Sequence, residues 1–362
     1  MYRFGEPAVV EEVQLDGPRT GEVLVRVAVA GVCHSDLHVV NGQMPFLPLP
    51  LVLGHEGAGI VEEVGPGVTS VKPGDHVILL WRTPCGRCHY CAIGRPAICE
   101  KAMHLRASGL LTDGTSRLSR DGQMLHHFNL CSCIAERAVM PEQSLLPIPD
   151  DVPLDVAAVI GCAVITGVGA VLTRAKVTPG STVAVFGVGG VGLSAVMGAA
   201  LANATQVIAV DVNDSKLEFS RQFGVTDLVN ARAGDPVAQI RDLTGGRGVE
   251  YAFECIGVPP VMEQAFNATA NGGTTVIVGA TAPGTTMSVP TVPLVFQERS
   301  LLGAVYGAVR PWRDLPWLID LFRAGKLPVD RLITHRYPLE QLNEAFAALE
   351  RGEVARSVLT VS

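Results

Sequence analysis

The sequence feature that most restricts the fold is a glycine-rich turn between two regular segments. Gly187, Gly189 and Gly192 form the pattern GxGxxG directly after the apolar run TVAVF and directly before a helical stretch. Small residues let a backbone approach a pyrophosphate closely, and the N-terminus of the following helix presents free N–H groups to it. The order strand, turn, helix therefore predicts a dinucleotide-binding turn that includes Gly190 and Val191; a purely structural glycine-rich turn is the alternative.

An acidic residue follows this turn at the distance that the same fold requires. Asp211 ends the next strand, QVIAVD, 19 residues after Gly192. Its carboxylate can accept hydrogen bonds from a ribose 2′-OH and repel a 2′-phosphate, so the sequence predicts NAD rather than NADP. Lys216 lies five residues further on and is within reach of the same ribose.

The pattern of predicted strands and helices changes along the chain, which predicts two domains. At 362 residues it exceeds the size of about 250 to 300 residues at which single cores stop growing. The first 150 residues contain short β segments with turn signals, typical of a β-rich, barrel-like domain. From about residue 164 strands alternate with helices, including a helix near 259–271, which predicts a doubly wound parallel sheet. Beyond about 305 come two helices and a final strand, RSVLTV.

Composition excludes several classes of protein. Hydrophobic residues make up 48% of the chain and charged residues 17%, so a disordered chain is excluded. The 28 basic and 35 acidic residues give a net charge of −7, which leaves no positive field for a nucleic acid. The first residues carry charge early and lack the apolar run of a signal peptide, so we expect a cytoplasmic protein without a membrane partner.

The cysteines indicate metal ligation rather than disulfides. Nine cysteines are an odd number, and the chain shows no export signal. Cys85, Cys88, Cys91 and Cys99 form a CxxCxxCx₇C cluster, whose short gaps let one loop wrap four thiolates around a single Zn²⁺. Four protein ligands fill all the coordination positions of a tetrahedral zinc, so the role of such a site would be structural. An iron–sulfur cluster is the alternative, and Cys131, Cys133 and Cys255 are interpreted as ordinary thiols.

A second candidate metal set is dispersed along the chain. It consists of Cys33 in GVCHSD, His55 in LGHEGAG and Cys162 in IGCAVITG. Spacing alone would leave these as ordinary core residues. Two thiolates and one imidazole, however, leave one tetrahedral position open, as catalytic zinc sites do, and the chain also carries a dinucleotide turn.

Taken together, these motifs resemble the zinc-containing medium-chain alcohol dehydrogenases, of the class I and class III type. The resemblance rests on GHEGAGIVEEVG at 54–65, the four-cysteine loop, GVCHSD, GCAVITG, GVGGVG, DGTSRLSRDGQMLHHF at 113–128 and the terminal GEVARSVLTV. It implies a GroES-like catalytic zinc domain over 1–163 and 305–362 and a Rossmann NAD domain over 164–304. It also implies two Zn²⁺ per chain, one catalytic and one structural, and a homodimer or homotetramer.

The resemblance assigns a role to each candidate site residue. Cys33, His55 and Cys162 would be the catalytic zinc ligands, Asp36 the partner that orients His55, and Glu56 a carboxylate behind the metal. Ser35 would bind the alcohol and pass its proton towards His38, although His38 in a solvated loop is an alternative. The pyrophosphate would contact His34 and Arg356, and the substrate pocket would be formed by Trp81, Ile98, His104 and Phe128.

The implied activity is hydride transfer between NAD and a primary aliphatic, allylic or aryl alcohol or its aldehyde. An S-hydroxymethyl thiol adduct is an alternative substrate, which Met103 disfavours because thiol-adduct enzymes carry a basic residue there; Arg106 could substitute for it. A non-redox lyase and a metal-free binding protein are more remote alternatives on the same scaffold.

Overall fold

The computed structural model describes residues 1–361, which form two compact units. Unit 1 comprises Met1–Cys162, Arg310–Gly325 and the chain from Val329 onward. Unit 2 comprises Ala163–Val309 and Lys326–Pro328. Each unit has its own sheet system.

The strands, numbered in chain order, are β1 Gln14–Leu15, β2 Glu22–Val32, β3 Leu51–Val52, β4 Glu56–Val64, β5 His76–Leu80, β6 Leu118–Arg120, β7 Gln123–His127, β8 Arg137–Pro141, β9 Leu145–Ile148, β10 Thr182–Phe186, β11 Gln206–Asp211, β12 Asp227–Asn230, β13 Val249–Glu254, β14 Thr269–Ile277, β15 Ser300–Gly303, β16 Ile333–Pro338 and β17 Arg356–Thr360.

The helices are α1 His34–Val40, α2 His89–Ala92, α3 Glu100–Ser108, α4 Leu154–Val159, α5 Ile165–Gly169, α6 Gly190–Leu201, α7 Asp214–Ser220, α8 Pro236–Leu243, α9 Pro259–Ala268, α10 Thr291–Phe296, α11 Pro311–Arg323 and α12 Leu342–Glu350.

Unit 1 is built on a mostly antiparallel seven-stranded sheet. Its order is β16-β17-β2-β4-β5-β9, and β8 also pairs with β2. The alternating residues Val23, Val25 and Val27 of β2 are fully buried, as the two-residue period of a strand requires. A smaller sheet has the order β1-β6-β7-β3. This β-rich unit confirms the predicted barrel-like, GroES-like part of the fold.

Unit 2 is the predicted doubly wound domain. Its six strands are all parallel, in the order β12-β11-β10-β13-β14-β15. Ala184 and Phe186 of β10 are buried with Ile208 and Val210 of β11, because central parallel strands are covered on both faces. Gly187 directly follows the carboxyl end of β10, and Asp211 is the last residue of β11.

One helix boundary differs from the sequence prediction. The helix expected near 259–271 ends at Ala268, and β14 begins at the next residue, Thr269. Thr269 has extended backbone angles, and Gly272 has a φ of 72°, a conformation that glycine adopts without strain. Gly272 and Gly273 therefore belong to β14 rather than to the helix.

One continuous helical stretch in the described chain, Leu154–Ala175, is long and apolar enough to span a membrane. An 18-residue window of this stretch has a mean hydropathy of 2.3, and 83% of that window is buried inside the protein. Core helices of soluble proteins have the same properties, so this stretch is only weak evidence for a membrane segment.

Candidate active site

The four clustered cysteines converge in one loop of unit 1. The Sγ atoms of Cys85, Cys88, Cys91 and Cys99 all lie within 4.8 Å of one another. The short helix α2 begins directly after Cys88, and α3 begins directly after Cys99, so two helix starts fix two of the thiols. Four sulfur donors at this separation suit one tetrahedral Zn²⁺.

Backbone N–H groups support negative charge on these sulfurs. The N–H of Cys85 donates to Sγ of Cys99 at 3.3 Å, and the N–H of Cys88 donates to Sγ of Cys85 at 3.3 Å. Backbone hydrogen bonds, that from Arg87 foremost, lower the pKa of Cys85 to about 6. The loop therefore stabilises a thiolate before any metal is considered.

Three dispersed residues form the second convergent set. One ligand atom from each of Cys33, His55 and Cys162 lies within 4.8 Å of the others, and all three residues are buried. Cys33 ends the connection from β2 to α1, while His55 directly precedes β4. Cys162 donates a hydrogen bond to Cys33, which lowers the pKa of the Cys33 thiol and raises that of Cys162. Two sulfurs and one imidazole fit a zinc ion and leave a tetrahedral position open.

Asp36 orients the imidazole of this set. Its Oδ2 lies 2.9 Å from Nδ1 of His55, and its Oδ1 accepts a hydrogen bond from the N–H of Gly54 at 2.9 Å. The contact with Nδ1 is too oblique for a well-formed hydrogen bond, so its contribution is chiefly electrostatic. Burial acts to lower the pKa of His55, but the charges of Asp36 and Cys33 outweigh it and raise the pKa. With Nδ1 facing Asp36, Nε2 is left for a metal.

Glu56 lies beside the same set and is held by an arginine from the end of the chain. Arg356 donates through Nε to Oε1 of Glu56 at 2.9 Å and through Nη2 to Oε2. Glu56 is fully buried, and Arg356 is 3% exposed. Burial raises the pKa of Glu56 despite the opposing charge of Arg356. A Cβ on Gly31 would lie 2.2 Å from Oε1 of Glu56, so Gly31 leaves the space that this carboxylate occupies.

Two predicted pocket residues contact the imidazole. The ring of Phe128 lies edge-on to His55 at a centroid distance of 5.4 Å, and Trp81 does so at 6.2 Å. The other two lie in the cysteine-rich region: Ile98 ends a short 3₁₀ helix before Cys99, and His104 is exposed on α3. The structure thus brings Trp81 and Phe128 to the candidate metal set.

The predicted proton-transfer residues lie on α1, directly after Cys33. Ser35 and His38 are half-buried, and His34 is exposed at the first position of the helix. The rings of His34 and His38 are 6.3 Å apart. Burial lowers the pKa of His38, and the charge of Cys33 opposes this shift only in part.

In unit 2, the glycine-rich turn has the geometry of a phosphate cradle. Gly187 has a φ of 85°, and a Cβ on Gly192 would lie 1.8 Å from the carbonyl oxygen of Gly187. Gly189 caps α6 without a side-chain hydrogen bond, and the space beside its Cα is open. The turn therefore leaves the N-terminal N–H groups of α6, which starts with Gly190 and Val191, available to an anionic ligand.

Asp211 lies next to this turn, at the end of β11. Its Oδ2 accepts the N–H of Val188 at 3.0 Å, and its Oδ1 accepts the N–H of Val212 at 2.7 Å and of Asn213 at 3.1 Å. The carboxylate thus fixes the glycine-rich turn through the N–H of Val188. Lys216 is half-buried on the following helix, α7.

Comparison with known proteins shows the family to which the chain belongs. Residues 19–150 match the alcohol dehydrogenase GroES-like domain, and residues 190–324 match the zinc-binding dehydrogenase family. An S-(hydroxymethyl)glutathione dehydrogenase of Synechocystis sp. is 40% identical over 360 residues, which are 99% of this chain and 97% of that protein. The chain belongs to the zinc-containing medium-chain alcohol dehydrogenase family. The enzyme is accordingly an oxidoreductase that acts on CH–OH groups.

Further relatives agree on the family but differ in substrate. The alcohol dehydrogenase class-3 of Drosophila melanogaster is 41% identical over 359 residues, 98% of this enzyme and 94% of that protein. Among solved structures, an alcohol dehydrogenase zinc-binding domain protein from Burkholderia ambifaria has a TM-score of 0.94 at 40% identity and covers 100% of this chain and 97% of its own. Benzyl alcohol dehydrogenase from Acinetobacter calcoaceticus has a TM-score of 0.91 at 35% identity, with 97% and 94% covered.

The structure adds partners that the sequence prediction missed. The pairing of Arg356 with Glu56 was not predicted, and its guanidinium is committed largely to that carboxylate; its contact with a pyrophosphate stays a prediction. Gly31 was also missed, although a glycine inside the apolar run EVLVRVAVAGV is a signal of close approach.

Proposed function

We propose that the enzyme transfers hydride between NAD and a primary aliphatic, allylic or aryl alcohol or its aldehyde. The observation that carries this proposal is the buried set Cys33, His55 and Cys162, whose three donors leave one tetrahedral position for a substrate oxygen. A zinc ion bound there would supply Lewis acidity that favours loss of the hydroxyl proton.

The residues of α1 are suited to remove that proton. Ser35 follows Cys33 by two residues, so its backbone is fixed beside the metal set, and its hydroxyl can relay a proton towards half-buried His38. The carboxylate of Asp36 faces Nδ1 of His55 at 2.9 Å, which leaves Nε2 for the metal. When bound, a nicotinamide accepts the hydride, and the alcohol becomes the aldehyde with release of one proton.

The glycine turn and Asp211 support NAD as the hydride acceptor. Gly187, Gly189 and Gly192 leave room for a pyrophosphate, and the Asp211 carboxylate would repel a 2′-phosphate. Lys216 on α7 would assist at the ribose, and His34 and Arg356 at the pyrophosphate. In this proposal 1–163 with 305–362 form the catalytic domain, and 164–304 form the cofactor domain.

The aromatic side chains near His55 favour a small apolar alcohol. Trp81 and Phe128 present ring edges beside the metal set, and Ile98 and His104 would extend this lining. The similarity to benzyl alcohol dehydrogenase supports an aryl alcohol. The second candidate, an S-hydroxymethyl thiol adduct, is supported by the relatives named S-(hydroxymethyl)glutathione dehydrogenase.

A panel of alcohols separates the two candidates. We expect NADH formation with benzyl alcohol, cinnamyl alcohol and 1-hexanol in the absence of thiol. Formation of NADH from formaldehyde only when glutathione is added, with no activity on the free alcohols, would contradict the first candidate and favour the second.

We further propose that the enzyme is a homo-oligomer. In unit 2, β15 is the edge strand of the parallel sheet. The helix that precedes it in the chain, α10, carries exposed apolar side chains, with Phe296 81% exposed and Val295 66% exposed. Open strand edges and apolar patches are typical association surfaces. Light scattering should give a dimer or tetramer for the native enzyme and a smaller species for Phe296→Lys. A cytoplasmic location is also proposed, and cell fractionation can test it.

A further inference from the structure

One carboxyl group of unit 2 is buried at the sheet edge that carries the glycine-rich turn. Glu254 is the last residue of β13 and is 0% exposed. Its Oε1 accepts the N–H of Ile256 at 2.9 Å and that of Gly257 at 2.7 Å. Its Oε2 is buried and has no hydrogen-bond partner among the described residues. The protein therefore satisfies only one of the two oxygens of this carboxyl group.

An ionised carboxylate at this position is costly for the protein alone. Burial raises the pKa of Glu254, and the groups that oppose this shift are backbone N–H groups, those of Gly257 and Ile256 foremost. The buried carboxylates of Glu56 and Glu22, by contrast, are both paired with arginines. A buried charge that has no counter-ion in the protein can obtain one from a ligand.

Glu254 lies at the point of the sheet where doubly wound folds bind dinucleotides. The strand order β12-β11-β10-β13-β14-β15 reverses between β10 and β13, and Glu254 pairs across this point with Phe186, the residue before Gly187. In such sheets the dinucleotide binds outside the carboxyl ends of the strands, with one mononucleotide on each half. Asp211 ends β11 and so marks its half for the adenosine. The half that begins with β13 is left for the nicotinamide.

The loop after Glu254 is packed directly on the glycine-rich turn. A Cβ on Gly187 would lie 2.3 Å from Cγ1 of Ile256, whose N–H donates to Glu254. On the other side, the N–H of Gly279 donates to the carbonyl of Glu254 at 3.0 Å, and a Cβ on Gly279 would lie 2.1 Å from the nitrogen of Gly257. The carboxyl group is thus one hydrogen bond away from a residue that contacts the turn.

We propose that the carboxylate of Glu254 is the counter-charge of the oxidised nicotinamide ring and thereby sets the relative affinity of the enzyme for NAD⁺ and NADH. The inference rests on the proposed use of NAD. The ring of NAD⁺ carries one positive charge, whereas that of NADH is neutral. A buried negative charge is poorly screened, so it attracts a cation bound in the same crevice and stabilises the oxidised form selectively. Asp211 would distinguish NAD from NADP, and Glu254 would distinguish the two redox states of one cofactor.

The test separates the charge of Glu254 from its shape. Glu254→Gln keeps an acceptor for the N–H groups of Ile256 and Gly257 but removes the charge, whereas Glu254→Asp keeps the charge on a shorter side chain. Dissociation constants are measured on the zinc-loaded enzyme, by calorimetry for NAD⁺ and by cofactor fluorescence for NADH. We expect Glu254→Gln to raise the ratio of the NAD⁺ constant to the NADH constant by about fivefold or more, chiefly because NAD⁺ binds more weakly.

A merely structural role of Glu254 predicts a different pattern. Damage to the loop would weaken both redox forms alike, and more so in Glu254→Asp than in the isosteric Glu254→Gln. Under the proposal, Glu254→Asp keeps the ratio within about twofold of wild type even where both affinities fall. Glu250→Gln is the matched control, because it removes an exposed negative charge near the start of the same strand and should leave the ratio unchanged.

The outcomes separate this inference from the proposed function. Binding of NAD⁺ and NADH with a ratio that Glu254→Gln leaves unchanged would overturn the inference alone. If Glu254→Gln does not fold, Glu254→Asp still decides, since a ratio that rises by about fivefold with the charge retained contradicts the inference. A wild-type enzyme that binds neither NAD⁺ nor NADH would overturn the proposed function instead.

Discussion

Arg356 donates from Nε to Oε1 of Glu56 across 2.9 Å, and this buried ion pair joins the last strand of the chain to the strand that follows His55. The positive charge of Arg356 also faces the thiols of Cys33 and Cys162, which contribute to raising its pKa. The pair therefore places one cation among two sulfurs and one carboxylate. Without it, like charges would be buried together beside the metal set.

Removing this arginine should destabilise the enzyme strongly. Arg356→Met leaves the carboxylate of Glu56 buried without its counter-ion, and breaking a buried pair costs about 3–5 kcal/mol. Chemical denaturation of the holoenzyme measures the loss. Arg336→Met is the control, since Arg336 pairs with Asp155 at the surface and such pairs contribute about 0–1 kcal/mol. Equal losses in the two variants would show that the buried pair is not important for stability.

The two metal sets should differ in stoichiometry and exchange. We expect two zinc ions per chain, and a chelator should remove first the ion held by Cys33, His55 and Cys162, which has an open position, with loss of turnover. Cys91→Ser should lower the zinc content by one and lower the thermal stability. Elemental analysis that finds one zinc or none in a fully active enzyme would contradict this prediction.

Asp211 should set the preference between the two dinucleotides. Asp211→Ser removes the ribose acceptor and the repulsion of a 2′-phosphate, so the ratio of kcat/KM for NAD over NADP should fall tenfold or more. Part of any general loss will come from the hydrogen bonds that Asp211 accepts from Val188 and Asn213. Asp214→Asn changes an exposed acid on the neighbouring helix and should leave the ratio unchanged. A wild-type enzyme that prefers NADP would show that the interpretation of Asp211 is wrong.

Ser35 and His38 should affect proton transfer to different degrees. Ser35→Ala should lower kcat by about 10² while zinc content and NAD affinity stay the same, because the hydroxyl proposed to bind the substrate has no replacement. His38→Gln should slow turnover less and respond to alkaline buffer or imidazole. Because burial lowers the pKa of His38, its neutral, proton-accepting form persists below the usual value of about 6.5. Near-normal turnover in Ser35→Ala would exclude the relay.

His127 should make the enzyme acid-sensitive. Burial lowers the pKa of His127 to about 3, and the residue is 2% exposed. Between this value and about 6.5 the unfolded chain binds a proton that the folded chain does not, so stability falls as the pH falls, by about 1.4 kcal/mol per unit. In His127→Gln, denaturation midpoints should depend less on pH over this range, whereas His335→Gln, at an exposed site, should behave as wild type.

The sequence by itself determined the features that depend on neighbours along the chain. The glycine turn at Gly187–Gly192 and the cysteine loop from Cys85 to Cys99 were predicted because turn conformation and short-loop ligand spacing are local properties. The parallel sheet followed from alternating strands and helices. These local patterns were sufficient for the fold class and for both candidate metal sets, the dispersed one with the help of family resemblance.

Only the tertiary structure decided which distant side chains meet. Arg356 and Glu56 are 300 residues apart, so no spacing rule pairs them, and the antiparallel register of β17, β2 and β4 brings them together. The same register places Gly31 against Glu56, where a Cβ would lie 2.2 Å from Oε1. That Nε of Arg106 is buried without a hydrogen-bond partner among the described residues is likewise invisible in the sequence, because burial and pairing depend on what the fold packs against a side chain.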